Sequence, residues 1–144
     1  MTRVVLDTNI FISAILSPKS KSASIVKLVL EGKLHLVIAP AMWKELHAAL
    51  QYPKLRALMK KNDVSMDEVK DLLYKIERIA ITVPGAKKVD RIKKDLSDNI
   101  FLACAMEGKA DFIISGDSRL KEVKAFQGVE IASPDVFIKM IRRE

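Results

Sequence analysis

Short apolar runs alternate with amphipathic stretches along the whole chain. Val4-Val5-Leu6 is a β-branched run closed by Asp7 and reads as a buried strand. Helical spacing follows over 10–16 and breaks at Ser17-Pro18. Ile25, Leu28 and Val29 predict a second helix over 22–31, stopped by Gly32. Residues 34–38 read as another strand, after which Pro40 suits the first turn of a helix reaching about Leu50. Pro53 restarts the chain, with a short helix over 55–60. Ser65 and Glu68 stand at capping-box spacing, which predicts a long helix over 66–78. Residues 79–83 form a third apolar run, ended by Pro84-Gly85. Beyond an irregular basic stretch over 86–97, the pattern predicts a helix over 98–107 and a strand over 112–114. A short helix over 118–123, a fifth strand over 129–131 and a last helix opened by Pro134 complete the chain.

Uniformly apolar strands joined by helices imply a parallel sheet covered on both faces. The expectation is therefore an α/β fold: one domain over 1–144, with a mostly parallel five-stranded sheet flanked by helices on both faces. Hydrophobic residues make up 49% of the 144, enough for a substantial core. No apolar run is long enough to span a membrane, and the opening segment, interrupted by Asp7, does not read as a signal peptide. A single cysteine cannot form an internal disulfide, so a reducing, cytoplasmic setting is expected. Lys and Arg number 25 against 18 Asp and Glu, a net charge of +7. Such an excess favours polyanionic partners such as RNA, although a lysine-rich surface also serves solubility.

The acids change this picture through their positions. Ligands of open parallel sheets bind at the C-terminal ends of the strands. Asp7 directly follows the first strand, Asp117 follows the 112–114 strand after Ser115-Gly116, and Asp98 opens the helix leading into that strand. Glu45 sits three residues after Met42 and four before Ala49, so it borders the apolar stripe of its helix. A carboxylate there needs a compensating charge, which a bound cation would supply. Asp7, Glu45, Asp98 and Asp117 are thus candidate ligands for Mg²⁺ or Mn²⁺, ions that take oxygen ligands and drive phosphodiester hydrolysis through an activated water. Each acid also has a plainer reading: Asp7 and Asp98 as helix N-caps, Asp117 as a turn residue, Glu45 as a solvated helix position.

The residues that carry these acids resemble the PIN-domain nucleases. Val4 through Phe11 is similar to that family's opening. Glu45 falls where the family carries a helical glutamate, 95–103 resembles its third acidic block, and 113–120 its fourth. The terminal Ser133-Pro134-Asp135-Val136-Phe137 is similar to the segment closing a prokaryotic, VapC-like branch described as toxins of toxin–antitoxin pairs. The resemblance implies a parallel-sheet endoribonuclease that cleaves single-stranded RNA with Mg²⁺ or Mn²⁺, using Asp7, Glu45, Asp98 and Asp117. Asn9 and Ser115 match the polar residues that steady such a site, and Asp95 could assist. It also implies a homodimer and an antitoxin protein as partners. The third block departs from the family: Ser97 stands where a further acid is frequent and Leu96 where proline is, which thins the metal set.

The remaining candidates weigh less. Lys87, Lys88, Arg91, Lys93 and Lys94 precede Asp98 and are assigned to RNA contact, with a solvated charge run as the plain alternative. Cys104 reads as a small buried hydrophobe. His35 faces the other side of its strand from Leu34 and Leu36, His47 lies on another face of its helix than Glu45, neither has a partner at metal-ligand spacing, and Trp43 reads as packing or interface. Two other functions remain open. One is a non-catalytic RNA- or partner-binding module with a decayed site. The other is an aspartate-nucleophile phosphatase, against which Asn9 counts because it stands where such enzymes want a second acid.

Overall fold

A computed structural model describes residues 1–85, 96–116 and 125–142. The chain runs β1 (Arg3–Leu6), α1 (Thr8–Leu16), α2 (Lys21–Leu30), β2 (His35–Ile38), α3 (Pro40–Ala49), α4 (Pro53–Lys61) and α5 (Met66–Ile79). It continues with β3 (Ile81–Thr82), α6 (Leu96–Glu107), β4 (Phe112–Ile114), β5 (Ala125–Phe126), β6 (Val129–Ala132) and α7 (Pro134–Arg142). The strand order is β3-β2-β1-β4-β6-β5, and every pairing is parallel except β5 with β6. The five parallel strands are the expected sheet. The antiparallel β5 is an addition: two residues turned by Gln127-Gly128 are too short to leave a hydrophobic period in the sequence.

β1 is the centre of this sheet because its inner residues are apolar throughout. Val4, Val5 and Leu6 are buried to within 1% of their surface, on both faces at once. From β1 the chain winds outward through β2 to β3, then crosses back to β4 on the other side of β1. Adjacent strands therefore send their connections opposite ways at the β1–β4 boundary. That reversal opens a crevice at the C-terminal ends of those two strands. On the β2 side of β1, the end of α6 comes close to the sheet. A Cβ on Gly108 would stand 2.2 Å from Val37 Cγ1, so only glycine lets that turn seat against β2.

Caps set most helix starts as the sequence implies. Ser20 accepts from the Ala23 amide and Ser65 from the Glu68 amide, while Pro40 and Pro53 occupy first helical turns. Several elements start or end a residue or two from expectation, α1 at Thr8 and α4 at Pro53 among them, and two further differences bear on the sheet and the site. The third strand is confined to Ile81–Thr82, because Ile79 still belongs to α5, where its apolar side chain is 47% exposed rather than packed in the sheet. α6 begins at Leu96, so Asp98 lies inside the first turn and is not the residue that opens the helix. The expected short helix over 118–123 lies outside the described residues. No helix among those described is long and apolar enough to cross a membrane.

Candidate active site

The last residue of β1 hands the chain to α1 through Asp7. The Asp7 amide still donates to the Ile114 carbonyl at 3.1 Å, so its backbone extends the β1–β4 ladder by one rung. Its side chain then caps α1, accepting the Asn9 amide on Oδ1 at 3.3 Å. The other oxygen, Oδ2, accepts the Ser115 hydroxyl at 2.7 Å. Ser115 continues β4 in the same way: its amide donates to the Ala132 carbonyl of β6 at 3.0 Å, and the residue is fully buried. Two neighbouring strand ends thus hold one carboxylate, which is itself 6% exposed. The plain reading of Asp7 as a helix cap is correct as far as it goes. It does not account for burial or for the Ser115 contact, which no helix cap requires.

The donors to Asp7 among the described residues are neutral. A buried carboxylate with neutral donors only is costly unless a cation compensates it. Each carboxylate oxygen offers two lone pairs, and the one donor that each accepts among the described residues leaves a second pair for a ligand. The cavity beside Asp7, about 540 Å³, is lined by Asp7, Asn9 and Glu45 and also by Tyr52, Lys54 and Leu58. Glu45 reaches it from α3 because Met42 and Leu46 anchor the helix in the core, at 3% and 1% exposure, and Glu45 lies between them on the helix edge, half-buried. Oxygen donors of this kind suit a hard divalent cation. Asp7 and Glu45 are the carboxylates that the described residues bring to it, and no group of three His, Cys, Asp or Glu that could hold a metal occurs among those residues.

The other candidates are placed less fully. Asn9 lines the cavity and supplies its amide to Asp7. Asp98 is in the first turn of α6, but its side chain lies outside what the structure describes. Asp117, Asp95 and the basic set Lys87, Lys88, Arg91, Lys93 and Lys94 lie outside the described residues. Cys104 is fully buried, and burial together with the nearby Glu107 carboxylate pushes its thiol up to about 12, which excludes it as a nucleophile. His35 and His47 are exposed, and Trp43 packs at 6.3 Å from the Phe11 ring. Tyr52 and Lys54 are not singled out by the sequence. Their segment reads as a helix restart at Pro53, and only the fold turns it toward Asp7.

A family model described as PIN domain matches residues 3–119, a span that begins in β1 and passes the end of β4. An uncharacterized protein of Methanocaldococcus jannaschii is 30% identical over 118 residues, which cover 82% of this chain and 72% of that protein.

Proposed function

The chain belongs to the PIN-domain family, and on that premise we propose that it is an endoribonuclease that cleaves single-stranded RNA with Mg²⁺ or Mn²⁺. PIN domains are in general nucleases that use divalent cations, so phosphodiester hydrolysis is the family-level activity. The finer reading rests on one observation. A buried carboxylate, Asp7, sits at the β1–β4 reversal and shares its cavity with Glu45.

In this reading Asp7 and Glu45 hold the cation, with Asp98 and Asp117 as further ligands from the family's acidic set. When bound, such a cation polarises the phosphodiester and makes a water more nucleophilic. The chain's own residues do the rest. Ser115 fixes the Asp7 rotamer from β4 while the Asn9 amide fixes it from α1, so the carboxylate is oriented before any ligand arrives. Two anchors from different elements keep that geometry from following either element alone. The neighbouring apolar wall, with Ile12 and Leu55, thins the water around the reacting group.

The test is cleavage of an unstructured RNA with and without Mn²⁺. Cleavage is expected only with the metal, and is expected to vanish on EDTA treatment and in Asp7→Asn. Metal-independent cleavage, or full activity in Asp7→Asn, overturns the reading. The similarity of 133–137 to the toxin branch supports a narrower assignment, in which the chain is a dimeric toxin held by an antitoxin protein. Growth arrest on expression, relieved by the Asp7→Asn change, tests that assignment separately.

A further inference from the structure

The α3–α4 elbow lines the same cavity with residues unlike the carboxylates. Tyr52 lies there with 63% of its surface exposed. A ring so placed is normally expected to be mobile, yet its backbone is held on both sides. The Tyr52 amide donates to the Ala49 carbonyl at 3.2 Å, and its carbonyl accepts the Arg56 amide at 3.0 Å. Pro53 locks the next φ. Arg56 braces the elbow between α3 and α4 from the other side, through Nε to the Leu50 carbonyl at 2.8 Å and through its terminal nitrogen to Gln51 Oε1 at 2.9 Å. The result is an exposed aromatic face on a rigid joint.

The charge beside it has one sign. α4 reads Pro-Lys-Leu-Arg-Ala-Leu-Met-Lys-Lys, with no acid in any position. Lys54, Leu58 and Lys61 are spaced i, i+4 and i+7, so they share one helix face, and Lys54 and Leu58 line the cavity. Among the described residues no carboxylate lies within ion-pair distance of Lys54. A π-face, an exposed leucine and lysines in line match a base followed by its phosphates. The cavity is also of small-ligand size, since such pockets run about 300–1,000 Å³.

We propose that Tyr52 and Lys54 form a nucleotide subsite beside the carboxylates: a base of single-stranded RNA stacks on the Tyr52 ring, and Lys54 holds an adjoining phosphate. This rests on the nuclease reading and names how the substrate is gripped. Such stacking would select unpaired RNA, because a base inside a duplex has no free face to offer.

The experiment measures binding of a short fluorescent RNA by anisotropy, in an Asp7→Asn background so that nothing is cut. Tyr52→Ala is expected to weaken binding about tenfold or more, whereas Tyr52→Phe, which keeps the ring, stays within about twofold. An oligonucleotide made abasic throughout is expected to bind the background protein and its Tyr52→Ala derivative equally, since there is no base left to stack. Lys54→Gln is expected to lower the slope of log affinity against log salt by about 0.7, the value for one phosphate contact on a single strand. Both side chains are exposed, so melting temperatures should be unchanged. If Tyr52→Ala binds the intact RNA as tightly as its background protein, the subsite is wrong while the nuclease reading stands. If the background protein binds no RNA and the wild type cuts none, both fall together.

Discussion

The two ends of the β1–β4 pair use the same side chain to opposite effect. At the N-terminal end, Asp111 accepts the Arg3 amide on Oδ2 at 2.9 Å, its own amide donates to the Arg3 carbonyl, and its carbonyl accepts the Glu130 amide. The Arg3 guanidinium closes the corner on the Gly108 carbonyl at 2.9 Å. Water reaches that aspartate, so its charge is solvated and its role is to finish the sheet. At the C-terminal end, the Asp7 carboxylate accepts two hydrogen bonds where that of Asp111 accepts one, but it is buried and faces a cavity. Hydrogen bonding alone therefore does not separate the two carboxylates. Burial with only neutral donors among the described residues does, because the cost of a desolvated anion persists until a cation joins it.

The sharpest way to break this comparison is to neutralise each aspartate. Asp7→Asn is expected to cut RNA cleavage by about three orders of magnitude, on the order of 4 kcal/mol of barrier, with the fold intact by circular dichroism. Next in size is a test of the sheet between the two ends. Leu6→Ala deletes a side chain 1% exposed, and should cost about 2–5 kcal/mol of unfolding free energy in a urea titration. An intermediate effect is expected at Ser115→Ala, which removes the hydroxyl donor to Asp7. Mn²⁺ affinity measured by calorimetry should fall about tenfold, as for other residues that orient a ligand. An unchanged affinity would show that Asp7 needs no help from β4. Asp111→Ala should cost only about 0.5–1.5 kcal/mol of stability and leave cleavage unchanged. A large loss of cleavage there would erase the distinction between the two ends.

The smallest effect is one of pH, and it probes the dryness of the layer between those ends. Cys104 is raised from 9.0 to about 12 in the folded chain by burial and by Glu107. Between those values the unfolded thiol loses its proton while the folded one keeps it. The unfolded state then binds fewer protons, so stability falls as pH rises above 9.0 and is unaffected below it. Urea midpoints for the wild type and Cys104→Ala should therefore run parallel up to about pH 9 and converge above it, and a thiol reagent should label the native chain only as fast as it unfolds.

Much of the site is readable in one dimension, and for an identifiable reason. Asp7 terminates an unbroken apolar run, and a charge at that point has nowhere to be except at a strand end. Glu45 is readable from its distance to Met42 and Ala49, because helical periodicity converts spacing into direction. Tyr52 and Lys54 are not, since nothing in the spacing of a loop residue and a helix start says which way the α3–α4 elbow turns. The two-residue β5 leaves no period at all, and the lengthening of α5 through Ile79 comes from local helix continuity overriding an apolar run that resembles a strand.

Taken by itself, the order of residues determined the alternation of strands and helices, the burial of β1 and the caps that start its helices, because these depend on contacts within a few residues. Only tertiary structure decided that β4 returns to the far side of β1, that Ser115 meets Asp7 across 108 positions, and that the α4 elbow shares their cavity. Those outcomes depend on which apolar faces cover one another when the sheet closes, and that is a property of the packed core rather than of any single stretch of chain.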